Sequence, residues 1–365
     1  MVSGPIECWI LRRFRHAPRL EQFHDVPDRD LLPPAMTKRN RLAFALACLV
    51  MAAIPASAQQ VPREVRIGFL SSNPMNADSL RWLDALRQGL RERGWKEGQN
   101  VILDPRWGDG QYDHLDSLAD ELVGLGVDAI VTDSTPSALA AKRATRTIPI
   151  VLGLAGDPVG SGLVASLVRP GGNVTGMSLM SPELNGKRFE LLKELVPAVR
   201  RVAVIRRADN PVHEIFLKEA QDSARRFGLK LRVFDVQTTA DLDGALPAVA
   251  AWKAQAIFVF GDVLLESAPY SRRIIDFAVQ QKIPTIGVTR ELAEVGILMS
   301  FGASYAAMFH QAAVVLDKIL RGASPAGLPI EQPTKFELVV NLKTAKALGI
   351  TIPQSILIRA DEVIR

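Results

Sequence analysis

Asp128-Ala129-Ile130-Val131 and Gln255-Ala256-Ile257-Phe258 are two short apolar phrases 127 residues apart, and each is followed by a second matching pair: Thr147-Ile148-Pro149-Ile150 and Lys282-Ile283-Pro284-Thr285, 135 residues apart. A short continuous apolar run bounded by turn residues reads as a strand buried on both faces. Its recurrence at so long an interval indicates two copies of one domain rather than a solenoid, whose repeats run about 20 to 50 residues.

Working outward, Val65 to Leu70 is another apolar run, ending in Ser71-Ser72-Asn73-Pro74. Leu80, Leu83, Leu86 and Leu90 then recur at helical spacing over Ser79 to Arg93, and Gly94 closes that helix. A strand over Val101 to Leu103, a helix over Leu115 to Val123, the strand Ala129 to Thr132, a helix from Ser134-Thr135-Pro136 through Ala144 and a strand over Ile148 to Leu152 complete the first copy. The second copy repeats the order: strand Val202 to Ile205, helix Ile215 to Phe227, strand Leu231 to Phe234, helix Ala240 to Trp252, then strands Ala256 to Phe260 and Ile283 to Val288. Strand alternating with helix predicts an α/β fold of two doubly wound, parallel-sheet lobes.

The 365 residues suffice for two domains of ordinary size. The formal charge of +5 is concentrated at the start: beyond residue 58 the chain carries 36 Lys/Arg against 34 Asp/Glu. That near balance gives no electrostatic footprint for a nucleic-acid partner. Lys38, Arg39 and Arg41 precede an apolar run from Leu42 to Ile54, followed by Ala56-Ser57-Ala58. This is the pattern of a secretory signal peptide over residues 36–58, cleaved near Ala58, with Met36 as the start and residues 1–35 as an upstream extension. The run is short for a bilayer span, and Cys48 reads as an ordinary residue within it rather than a lipid attachment site. Cys8 and Cys48 are the only cysteines, so the exported portion has none for disulfides, thiol chemistry or a zinc cluster.

In parallel α/β sheets, ligands bind at the carboxyl ends of the strands, where loops lead into helix N-termini. The candidates are therefore loop residues. Ser134 and Thr135 can present hydroxyl and N–H groups to a ligand carboxylate, or simply cap a helix. Ser71 and Ser72 occupy the matching loop after the first strand. Asp262, after Ala256 to Phe260, stands opposite them in the second copy and can meet an ammonium group or cap a helix. Asp209 and Asn210 can hydrogen-bond a ligand or form a turn. Gly156 and Asp157 can line a cleft, yet Gly-Asp-Pro is also turn chemistry.

Further phrases carry a family resemblance: Gly98-Gln99-Asn100-Val101, Gly110-Gln111-Tyr112-Asp113, Gly156-Asp157-Pro158-Val159, Arg169-Pro170-Gly171-Gly172-Asn173-Val174-Thr175-Gly176, Glu331-Gln332-Pro333-Thr334-Lys335-Phe336-Glu337, and Asn341 to Gly349. Together they resemble the ABC transporter substrate-binding proteins, with relatives of the tryptophan-uptake type. Residues 64 to 365 share the likeness. It implies a type I periplasmic-binding-protein fold with a three-crossover hinge: a first lobe of residues 62–179 plus 301–329 and a second of 180–300 plus 330–365, crossing near Leu179-Met180, Ser300-Phe301 and Ile330 to Thr334. It further implies a monomer in the periplasm that closes on a small molecule and delivers it to an ABC permease. An acidic residue in the Asp262 loop of amino-acid-binding relatives supports that position as a ligand contact.

No catalytic or cofactor motif competes strongly. Gly160-Ser161-Gly162-x-x-Ala165 loosely matches a dinucleotide fingerprint but does not open the first βαβ unit, and its glycines read as helix-start and packing residues. His114, His213 and His310 lack metal-ligand spacing, and Asn173-Val174-Thr175 reads as a turn and strand edge rather than a glycosylation site. No GxSxG elbow nominates a nucleophile for the alternative of an exported α/β hydrolase. A second alternative is a ligand-sensing protein of a signalling system. No cofactor or metal is expected. The aromatic share of 6% gives no indication of a stacking pocket, and Tyr112, Tyr270, Tyr305, Trp82 and Trp107 read as packing residues. Arg206-Arg207-Ala208, ahead of Asp209-Asn210-Pro211, departs from the relatives' pattern and suggests a basic loop favouring an anionic ligand.

Overall fold

The computed structural model describes residues 64–179 and 183–365; the expected leader, with Met36 and Cys48, lies outside them. The first sheet contains β1 (Val65–Ser71), β2 (Val101–Trp107), β3 (Ala129–Thr132), β4 (Ile150–Leu152) and β5 (Val174–Gly176). They lie in the order β2-β1-β3-β4-β5, all parallel. The period-2 pleat sends Ile67 and Phe69 of β1 to one face and Leu70 to the other. On the first face they meet Trp82, Leu83, Leu86 and Leu90 of α1 (Ala77–Arg91). The second face is covered by Leu115, Ala119 and Leu122 of α2 (Leu115–Gly124) and Ala138, Ala140 and Ala141 of α3 (Thr135–Ala144). With both faces covered, β3 is buried throughout, which is why it reads as an unbroken apolar run.

The second lobe repeats the pattern. β6 (Arg201–Arg207), β7 (Lys230–Val236), β8 (Ala256–Val259) and β9 (Thr285–Gly287) lie in the order β7-β6-β8-β9, the same as β2-β1-β3-β4. β10 (Met299–Ala303), β11 (Phe336–Asn341) and β12 (Glu362–Ile364) extend this sheet, with β11 antiparallel to β10. Its helices include α4 (Glu183–Leu195), α5 (Pro211–Arg226), α6 (Thr239–Ala251), the short α7 (Val263–Glu266), α8 (Ala268–Gln280) and α9 (Arg290–Val295). The chain then returns to the first lobe as α10 (Tyr305–Leu320), whose Phe309, Ala312 and Leu316 share a core with α1. α11 (Leu342–Leu348) and α12 (Gln354–Arg359) follow β11. The architecture is two parallel-sheet α/β lobes joined by three passes of chain.

Those passes are bonded to one another. Met177 forms a parallel bridge with Glu331, Ser178 N–H donates to Glu331 O at 2.9 Å, and Ser304 N–H donates to Lys335 O at 3.4 Å. β10 carries the second sheet through Ala303, past the expected crossing at Ser300-Phe301. Residues 158–173, where helix-start glycines were expected, form no helix: Asp157 instead folds the chain into turns by accepting from the N–H groups of Val159 and Gly160.

Gly176, the last residue of β5 before the first pass, has φ +127°, and a Cβ there would stand 2.4 Å from both the nitrogen and the oxygen of Leu152. Gly176→Ala is expected to destabilise the fold by about 1–3 kcal/mol or more, from strained backbone and a clash that cannot relax without moving β4. Equilibrium chemical denaturation checks the loss.

Candidate functional site

The carboxyl ends of both sets of strands face each other across a cavity of about 110 Å³. A single water needs roughly 10–15 Å³ on the same kind of measure, so this space suits an organic molecule. On the first-lobe side Asp133, at the end of β3, organises the wall. Its buried carboxylate accepts from Ser71 Oγ (2.5 Å), Ser72 N–H (2.9 Å), Asn73 Nδ2 (2.7 Å) and Ser137 Oγ (3.2 Å). One carboxylate thereby fixes both post-strand loops. Ser134 caps α3, accepting from Ser137 N–H at 3.2 Å, and pairs with Ser72 Oγ at 2.9 Å. Thr135 Oγ1 accepts from Gly156 N–H at 2.9 Å. Capping and cavity lining thus coexist at Ser134 and Thr135.

Of the residues expected at a ligand site, Ser72, Ser134, Thr135, Asn210 and Asp262 line this cavity, as does Gly156, whereas Ser71 and Asp157 lie outside its lining. Ser71 ends β1 with its hydroxyl turned back to Asp133, and Asp157 is occupied by its turn.

On the second-lobe side, Asn210 caps α5 and donates from Nδ2 to Asp262 Oδ2 at 2.8 Å. Asp262 caps α7 through Oδ1, accepting from Leu264 N–H, while Oδ2 also accepts from Tyr112 Oη, reaching over from the first lobe, at 2.8 Å. The carboxylate expected to await an ammonium group is therefore already well supplied with donors. One turn further on, Glu266 has a single partner among the described residues: Thr289 Oγ1 donates to its Oε1 at 3.2 Å. Enclosure away from bulk water, with the Glu291 and Asp262 charges nearby, pushes the Glu266 carboxyl well above the usual carboxylate range.

Arg188, on α4, is buried at 7% exposure, low enough to make its pairing decisive. Nε donates to Phe301 O at 2.8 Å and Nη1 to Asn185 Oδ1 at 2.9 Å; among the described residues Nη2 has no hydrogen-bond partner and the guanidinium forms no ion pair. Burial pulls its pKa down to about 10, the mark of a cation that the protein itself leaves uncompensated. The cavity thus holds a cationic group and an acidic group, each with unused hydrogen-bonding capacity.

Between and around these groups stand Trp82, Tyr112, Phe216, Phe258, Phe260 and Tyr305. Trp82 meets Tyr305 edge-on at 5.5 Å, and its Nε1 donates across the lobes to Glu291 Oε1 at 3.2 Å. Three aromatics read from the sequence as packing residues therefore line the cavity, whereas Trp107 packs against Phe69 and Tyr270 belongs to a core cluster. The expected basic loop is also corrected. Arg206 is paired with Asp235 and Glu214, and Arg207 with Asp209, so neither extends free charge into the cavity. Asp209 lies outside the lining, paired with Arg207. Among the described residues no cluster of three or more His, Cys, Asp or Glu is placed to hold a metal ion.

Two hinged α/β lobes meeting over an enclosed, polar and aromatic cavity define the type I periplasmic-binding-protein class. Residues 72–364 match the model of the ABC transporter substrate-binding protein family, and the chain belongs to that family. It is 29% identical over 272 residues, spanning 73% of this chain and 77% of the relative, to a tyrosine-binding protein of Clostridioides difficile strain R20291. A Streptococcus pneumoniae domain solved in complex with L-Trp is 29% identical, with a TM-score of 0.76 over 82% of this chain and all of that one. The ligand-free, open structure of a substrate-binding protein with adhesive properties from Clostridium difficile is 26% identical, with a TM-score of 0.62 over 82% of this chain and 99% of that one.

Asp133→Ala is expected to strip partners from Ser71, the Ser72 N–H and Asn73 at once, destabilising the protein by about 2–4 kcal/mol. Ser71→Ala should cost less stability and leave ligand affinity within about twofold, because its hydroxyl does not reach the cavity. Thermal unfolding and calorimetric titration separate the two effects.

Proposed function

We propose that the protein is the extracytoplasmic receptor of an ABC importer and that it binds an α-amino acid with an aromatic or large apolar side chain. The observation that carries the reading is one aromatic-lined cavity holding both the Arg188 guanidinium, which has no ion-pair partner among the described residues, and the Glu266 carboxyl, which has one side-chain partner among them. A buried charge without a partner is costly, and a zwitterion supplies both missing partners at once. In this reading Arg188 Nη2 takes the ligand carboxylate, with Ser72, Ser134 and Thr135 beside it. Glu266 takes the ammonium, with Asp262 and Asn210 completing that wall. Trp82, Tyr305 and the phenylalanines enclose the side chain. The tyrosine-binding relative and the L-Trp complex support the same ligand class. Secretion through the leader, residence in the periplasm as a monomer and delivery to a membrane permease complete the reading; the ligand stabilises the closed lobes by binding them better than the open ones.

Calorimetric titration with L-tyrosine, L-tryptophan and L-phenylalanine is expected to show binding, with tryptamine and indole-3-propionate far weaker because each lacks one charge. Arg188→Met should cost on the order of 10- to 100-fold for the amino acids and little for tryptamine. Glu266→Gln should spare indole-3-propionate instead. Equal losses for all ligands in both variants would refute the assignment of poles.

Because the Glu266 carboxyl is held above its ordinary value, the folded state binds its proton more readily than the unfolded state does. Mild acidification from neutrality should therefore raise the contribution of this group to the stability of the ligand-free protein. The same protonation removes the anion that meets the ammonium, so amino-acid affinity should fall over that range. Melting temperature and titration across pH 8 to about 5 test these opposite slopes, with Glu266→Gln expected to flatten both.

A further inference from the structure

Arg207 bridges the two lobes from outside the cavity lining. It lies at the end of β6 and is buried, yet it is absent from the cavity lining. Asp209 holds the guanidinium as a fork, with Nε to Oδ1 at 2.6 Å and Nη2 to Oδ2 at 3.0 Å. The remaining edge crosses to the first lobe, where Nη1 donates to Gly110 O at 2.9 Å. Its flat face covers the Tyr112 ring, 3.7 Å from guanidinium carbon to ring centre. Tyr112 in turn donates to Asp262. The Asp109-Gly110 backbone, with φ +52° and +78°, turns the loop that presents both the carbonyl and the ring to Arg207.

Each part of this arrangement needs a planar, five-donor cation; a lysine cannot pair bidentately with Asp209, face the ring and reach the carbonyl at once. Asp209 already balances the charge before closure, which limits the cost of drying the guanidinium, and the ring contact strengthens as water leaves. Arg207, Asp209 and Gly110 lie outside the cavity lining, which the arrangement meets only through Tyr112 and Asp262, the latter 3.8 Å from Arg207 Nη1. We infer that Arg207 is a positioning residue that latches Tyr112 across the cleft, so that closed lobes are favoured before a ligand enters and a bound ligand is released more slowly. The inference rests on the closing-receptor reading above. A contact that favours the closed state irrespective of ligand raises affinity by enlarging the binding-competent population.

The test compares the wild-type protein with Arg207→Leu and, as a variant of similar volume and charge, Arg207→Lys. Small-angle X-ray scattering of the ligand-free proteins is expected to give a larger radius of gyration for both variants. Stopped-flow fluorescence with L-tyrosine should show dissociation about tenfold faster for Arg207→Leu, with association changed less than twofold. Adding Arg207→Leu to Tyr112→Leu should produce no further change, since the partner is already gone. Equal ligand-free radii for the wild type and both variants, or additive effects of Arg207→Leu and Tyr112→Leu, would overturn the latch. If Arg207→Leu does not fold, Arg207→Lys decides by the same readouts. Failure of L-tyrosine to bind the wild type would count against the ligand reading alone, because the scattering comparison needs no ligand.

Discussion

Parallelism is the constraint from which the site follows. Each strand from β1 to β5, and again from β6 to β10, runs the same way as its neighbour, so the chain must return to the starting edge by a helix or loop on a sheet face. All carboxyl ends then share one edge, and the loops there enter helix N-termini with unpaired N–H groups. Two sheets with those edges face to face bring together polar groups that neither lobe needs for itself. The apolar residues do the opposite: four clusters of buried hydrophobics fill both faces of the two sheets.

The cavity divides its polar groups into two kinds. Asp133, Asp262 and Asn210 are bonded to protein partners and give the walls their shape. Arg188 and Glu266 are bonded only in part among the described residues, and burial away from water displaces the titration of both. Stability and recognition are thereby assigned to different side chains of the same cavity. Asp133 is held by Ser71, Ser72, Asn73 and Ser137 of its own lobe and Asp262 by Asn210 and the Leu264 N–H of its own, bonds that pre-organise each wall separately.

Strand identities and their repeated order were legible because a doubly covered strand has to be apolar throughout, as Ala129 to Thr132 and Ala256 to Val259 are. The loop positions Ser134, Thr135, Asn210 and Asp262 could be picked out because each follows such a strand and caps a helix, a task that favours Ser, Thr, Asn and Asp. Ser71 and Asp157 have the same chemistry, but the direction of a side chain at a strand end or turn depends on neighbours distant in sequence. Arg188 and Glu266 were illegible for another reason. Arg188 sits in a helix among Leu184, Phe189 and Leu191, where one charged residue normally marks the wet face; that this face instead meets a cavity is a tertiary fact. Trp82, Tyr112 and Tyr305 carry no mark that separates a cavity wall from a core. Arg207 stood out only as a departure from the relatives' loop, and its partner, Tyr112, is 95 residues earlier in the chain.

The lacing of the three interlobe passes limits the path by which the cleft opens. Glu331 is bonded to the first pass through Ser178, and Lys335, four residues on, to the return pass through Ser304. Links joined edge to edge can bend together out of their common plane, but sliding one along another breaks the backbone hydrogen bonds between them. In the proposed receptor the lobes would then swing like the covers of a book on its spine. On that path Trp82 and Tyr112 would return to Glu291 and Asp262 in the same register at each closure.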